Sequence, residues 1–108
     1  MDFFHKNLAD GRWQQLSLSE QLGNVGSEVS RALYWRKKDQ DLFNRSIDRA
    51  LELLDLTIQD QRWRKRLKEL TRARELFCDA VFNEGRLYGS TLEDFDRYFL
   101  QFAVAARN

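Results

Sequence analysis

Four consecutive stretches of this 108-residue chain repeat their apolar residues at three- and four-residue intervals, and no proline interrupts them. That period gathers apolar side chains on one face of a helix, whereas a strand alternates every second residue. Without proline, long helices run unbroken, and the connections fall to Gly, Ser, Asp and Asn. The fold class that follows is all-α: a four-helix up-and-down bundle forming one domain over residues 1–108.

Ser17 and Glu20 have capping-box spacing, which starts a first helix over 17–38. Leu18, Leu22, Val25, Val29 and Leu33 share its inner face. Gly23 and Gly26 lie inside it, and close approach of a neighbouring helix is a reason to keep them there despite their low helix propensity. The second helix, 39–58, carries Phe43, Ile47, Ala50, Leu54 and Ile58 inward. Leu56 falls on the opposite side and is expected to be partly exposed. The third, 60–83, opens at Asp60 as N-cap and ends before Gly85, a natural left-handed residue. Trp63, Leu67, Leu70, Phe77, Cys78 and Val81 share its face. The fourth, 90–107, opens on Ser90 and Glu93 as a second capping box. Leu92, Phe95, Phe99, Phe102 and Ala106 face inward, leaving Leu100 and Val104 turned away. Residues 1–16 have no clean period. Phe3, Phe4, Leu8 and Trp13 are nevertheless too apolar for a loose tail, so they read as an ordered N-terminal arm bent at Gly11.

The chemistry-bearing residues are sparse. His5 is the only histidine and Cys78 the only cysteine. One of each makes no zinc site, and the Glu-x-x-His pairs of a di-iron bundle are missing. A Cys78–His5 nucleophile pair is formally open, but a cysteine on an apolar face reads as core packing. The expectation is therefore no catalytic or metal residues and no cofactor: not an enzyme. A lone cysteine fits a reducing cytoplasm. The N-terminal residues have neither the basic nor the apolar region of a signal peptide. No apolar run nears the ~20 residues of a spanning helix, so no membrane partner is expected.

Three polar features remain. Asn24, Glu28, Arg31 and Trp35 recur on one flank of the first helix, either as a helix–helix salt bridge or as a ligand- or partner-binding pocket. Arg74 falls in the apolar stripe between Leu70 and Phe77. A charge there needs a partner, with Glu28 and Glu52 as candidates, or else marks a polar pocket. The third is the basic run of helix 3, from which Arg64, Lys65, Lys68 and Arg72 project outward together, with Arg36, Lys37 and Lys38 as a second cluster. Basic clusters with nearby aromatics can hold a phosphate backbone. Eighteen basic residues against seventeen acidic ones give a net charge of only +1, which equally fits a solvated face.

The run Gln21-Leu22-Gly23-Asn24-Val25-Gly26-Ser27-Glu28-Val29-Ser30-Arg31-Ala32 resembles a family of small uncharacterised prokaryotic proteins. So do Arg49-Ala50-Leu51-Glu52-Leu53-Leu54-Asp55-Leu56-Thr57-Ile58, Tyr98-Phe99, Phe102-Ala103 and Ala105-Ala106-Arg107. This resemblance covers most of the chain and brings no known activity. More distantly, the chain resembles the four-helix-bundle proteins of ribosomal-RNA intervening sequences and the retroelement accessory proteins that share their bundle. Asn24-Val25-Gly26-Ser27-Glu28 is the nearest match to their Asn-Ile-Ala-Glu-Gly-like element, one residue out of step and without its preceding proline. That resemblance implies a ring-like homo-oligomer with a basic, nucleic-acid-binding surface.

Three functions follow in order. The first is a non-catalytic helical interaction module that forms a homo-oligomer through Leu56, Leu100 and Val104. The second is an RNA- or DNA-binding accessory protein using the basic face of helix 3. The third is an enzyme or small-ligand binder using Glu28, Arg31 and Arg74.

Overall fold

The computed structural model describes residues 11–107, so the part of the arm holding Phe3, Phe4, His5 and Leu8 lies outside the described residues. Among the described residues there are four α-helices: α1 (Leu18–Trp35), α2 (Gln40–Gln59), α3 (Leu67–Phe82) and α4 (Leu92–Arg107). Among the described residues there is no strand, and no helix is long and apolar enough to cross a membrane.

Named contacts fix the up-and-down order. Along α1, Gln21 meets Asp60 and Glu28 meets Arg49, so α2 runs antiparallel to it. Gly23 faces Ala103, Gly26 faces Phe99 and Arg36 pairs with Glu93, so α4 is antiparallel on the other side. Helix α3 lies between α2 and α4, held by Arg74–Asp55 and by Tyr98–Glu69. Leu22, Val25 and Val29 of α1 meet Leu54, Phe77 and Phe99 in one continuous core. The two glycines of α1 bring α4 in close. A Cβ on Gly26 would lie 2.7 Å from Phe99 Cβ, and one on Gly23 would lie 3.1 Å from Ala103 Cα. Close approach is thus what keeps both glycines in mid-helix.

The helix starts follow the sequence closely at α1 and α2. The Ser17 hydroxyl accepts from Glu20 N–H at 3.1 Å and the Glu20 carboxylate accepts from Ser17 N–H at 2.9 Å, completing the expected box. Asp39 caps α2 by accepting from Leu42 N–H at 3.1 Å. At α4 the box forms one residue later than expected. Thr91 N–H donates to Asp94 at 2.9 Å and Asp94 N–H donates to the Thr91 hydroxyl at 3.1 Å, while Glu93 turns to Arg36 at 2.6 Å.

The third helix departs most. Asp60 does cap it, but the first turns, Gln61–Arg66, are a 3-10 helix broken at Trp63 (φ −103°, ψ 22°). The cause is local. The Asp60 carboxylate takes Arg62 N–H at 3.1 Å and the Arg62 guanidinium at 2.7 Å, tightening the turn. Between Trp63 and Leu67 the chain has only cations, with no apolar residue to hold an α-turn against the core. The helix ends as expected: Gly85 is left-handed (φ 75°), and its N–H donates to Asp79 O at 3.0 Å. The buried Asp79 carboxylate then accepts Leu87 N–H at 3.2 Å and Tyr88 N–H at 3.0 Å, organising the α3–α4 connection.

Some assignments of helix face are corrected. Leu67 is 43% exposed instead of facing inward, because the 3-10 turn before it breaks the phase set at Trp63. Ala106 is exposed, because the last turn of α4 runs past the core. Leu56 is buried at 8% exposure rather than turned to solvent. Helix α2 has α1 on one flank and α3 on the other, so it buries a wider arc than one stripe. Leu56 is therefore not available as an oligomer contact.

Candidate interaction faces

Two surfaces stand apart from the bundle core. The first lies where α1 meets α4. Leu100 is 59% exposed and Val104 48% exposed, as their phase on α4 predicts. Leu100 and Ala103 border a groove of 340 Å³ paved by Gly23 and Gly26, with Asp96 and Arg107 also on its lining. The Ser30 hydroxyl donates to Asp96 inside this groove.

The second is the basic face of α3. Lys65, Lys68 and Arg72 line one shallow groove of 680 Å³ together with Arg66, Glu69 and Glu75. Arg66 is bound to Glu69 at 2.8 Å. Arg72 sits 4.8 Å above the Tyr88 ring and 3.9 Å from Glu75. Arg64, Lys65 and Lys68 are exposed and have no acidic partner among the described residues. Arg64 does not line the groove, whereas Lys65 and Arg66 of the same 3-10 turn do. The groove continues toward α4 over Ala73, Leu76, Phe95 and Tyr98. The Tyr98 hydroxyl donates to Glu69 at 3.1 Å, and half-burial together with that carboxylate pushes its pKa up to about 12.

Arg36, Lys37 and Lys38 do not join this face. The basic run stands beside Gln21, at the start of α1, through the Trp63 indole N–H donating to Gln21 at 2.9 Å. The other cluster closes α1 at its far end, roughly 20 Å along the helix. Arg36 is also taken by Glu93, whose hydrogen bond holds the guanidinium pKa above its ordinary value, and Lys38 lies 3.6 Å above the Tyr34 ring.

The α1 flank is a salt-bridge cluster. Buried Glu28 holds Arg31 at 2.9 Å and faces Arg49 at 3.9 Å across the α1–α2 contact. Asn24 donates to Glu20 O of its own helix at 2.8 Å, and half-buried Trp35 packs edge-on against Tyr34. Arg74 is not with them. Its partner is Asp55 at 2.6 Å rather than Glu28 or Glu52, because the antiparallel register sets Asp55 opposite it at a half-exposed edge. That bond holds the Arg74 guanidinium above its ordinary pKa. Cys78 is likewise half-buried at this edge, 3.7 Å from Arg74, instead of inside the core, and partial burial pushes its thiol pKa up. The Cys78–His5 pairing lies outside the described residues.

Sequence reasoning missed one polar centre. Fully buried Gln21 donates to Trp13 O at 2.8 Å and to Asp60 at 3.0 Å, and it accepts from Trp63. The Arg62 guanidinium holds the buried Asp60 carboxyl below its ordinary range and also reaches Leu16 O at 2.7 Å. This network ties the described part of the arm onto its own bundle. The available signal was a glutamine three residues after Leu18 and four before Val25, in phase with the inner face of α1. Exposed Phe82 (64%) and Leu87 (71%), beside the α3–α4 connection, were not singled out either. No protein-family model, curated protein or solved structure matches this chain.

Proposed function

We propose that the chain is a non-catalytic helical interaction module that self-associates, using the outer face of α1 and α4. The observation that carries this is the exposure of Leu100 and Val104 beside the glycine-paved groove. Apolar area buried between copies is the driving force, and one charge placed in it opposes association. Light scattering after size exclusion is the test. The wild-type mass exceeds that of one chain and rises with concentration, whereas Leu100→Glu shifts the protein toward the single-chain mass with its helical circular dichroism unchanged. A wild type that stays a single chain at high concentration ends this reading. A cytoplasmic location, taken from the lone Cys78, belongs to the same proposal.

A second reading is supported by Arg64, Lys65 and Lys68, which have no acidic partner among the described residues. On this reading the α3 face binds RNA or DNA through its phosphates, as the resemblance to the ribosomal-RNA intervening-sequence proteins implies. Such binding falls steeply with salt. Reversing Lys65, Lys68 and Arg72 together to glutamate reduces affinity by about tenfold or more on any sequence and flattens the salt slope by roughly three. Fluorescence anisotropy on RNA and DNA oligonucleotides at two salt concentrations checks it, and an unchanged affinity sinks this surface.

A further inference from the structure

We infer that the occupant of the α1–α4 outer face is a second copy of this chain, its α4 antiparallel to the first about a two-fold axis, with Arg107 of each copy opposite Asp96 of the other. This rests on the self-association reading above and adds its geometry. Asp96, Leu100, Ala103 and Arg107 recur along α4 at intervals of four, three and four, so they form one stripe. All four line the groove. The stripe carries an acid at one end, a base at the other and apolar residues between them. Asp96 and Arg107 are separated by three helical turns, about 16 Å.

Their neighbours on α4 are already neutralised. Arg97 is bound to Asp94 at 2.5 Å, and Glu93 is bound to Arg36 at 2.6 Å. Among the described residues, Asp96 accepts only the Ser30 hydroxyl and Arg107 has no ionic partner. A closed two-fold contact requires that if residue i touches j, then j touches i. A stripe with opposite charges at its two ends meets that requirement attractively only when laid antiparallel on itself. Laid parallel, Asp96 would meet Asp96 and Arg107 would meet Arg107. The antiparallel axis falls between Leu100 and Ala103, placing Leu100 of each copy against Ala103 of the other. Gly23 and Gly26 are buried beneath α4 of their own chain, and the small Ala103 side chain above Gly23 leaves room for Leu100 of the other copy.

The experiment is a charge exchange read by sedimentation equilibrium. Asp96→Lys alone brings two cations together at both ends of the contact, and Arg107→Glu alone brings two carboxylates together there. Each weakens self-association about tenfold. An equimolar mixture of the two single variants recovers association as a mixed pair, because both contacts become attractive. The double variant carrying both changes in one chain also recovers, which shows that neither substitution harms the fold. Single variants that associate as wild type overturn this geometry while leaving self-association standing. Single variants that dissociate with no recovery in the mixture or in the double variant overturn the two-fold pairing. A wild type that never associates removes both this geometry and the reading beneath it.

Discussion

Trp13→Ala costs the fold about 3–5 kcal/mol and lowers the melting temperature by roughly 15–30 °C. Trp13 is fully buried in the core cluster. Its carbonyl accepts from Gln21 at 2.8 Å and from Leu16 N–H at 3.1 Å. Truncation removes the largest buried side chain and opens a cavity beneath a polar network that cannot collapse without losing hydrogen bonds. Trp13→Phe behaves differently. The indole Nε1 is buried with no acceptor among the described residues, so phenylalanine keeps most of the apolar contact and leaves no orphaned donor. Its cost stays below about 1.5 kcal/mol. Thermal unfolding followed by circular dichroism separates the two. A Trp13→Phe loss as large as that of alanine would mean that the indole N–H is bonded in solution.

The same network explains where the sequence was legible and where it was not. Periodicity located all four helices because each buries one face, and burial is what a three-to-four spacing records. The box of Ser17 and Glu20 was readable because capping is decided within a few residues. So were the two glycines of α1, since a costly residue in mid-helix calls for a neighbour at close range, and Ala103 and Phe99 supply it. What failed depended mostly on distant partners, the local Asp60–Arg62 turn excepted. The third helix begins as a 3-10 turn because Asp60 holds Arg62 and Gln21 holds the Trp63 indole. Of that turn, Lys65 joins Lys68 and Arg72 along the groove and Arg64 does not. The partner of Arg74 is set by the α2–α3 register, which no local pattern encodes. Leu56 is covered because α2 has a helix on both flanks. The two basic clusters look like one theme in sequence, but antiparallel packing places them at opposite ends of the bundle. Leu100 and Val104 were legible because they lie off the inner face of a peripheral helix, where none of the other described elements covers them.

Phe99→Ala removes about 3–5 kcal/mol of stability, whereas Leu100→Ala, one residue on, stays within about 0.5 kcal/mol of wild type. Phe99 is fully buried, edge-on to Tyr98 at 5.1 Å, and its Cβ is the atom on which Gly26 closes. Leu100 is 59% exposed and borders the outer groove. Urea unfolding distinguishes them: the Phe99 variant has a much lower midpoint with an unchanged slope, and the Leu100 variant has neither change. Self-association reverses the emphasis. Leu100→Ala weakens it in a fully folded protein, because only the surface shared between copies loses area. Phe99→Ala weakens it indirectly, because α1 and α4 together form the docking face and loss of the buried ring loosens the core behind them. A Phe99→Ala midpoint near that of wild type would show that the buried ring is not what holds that face in shape.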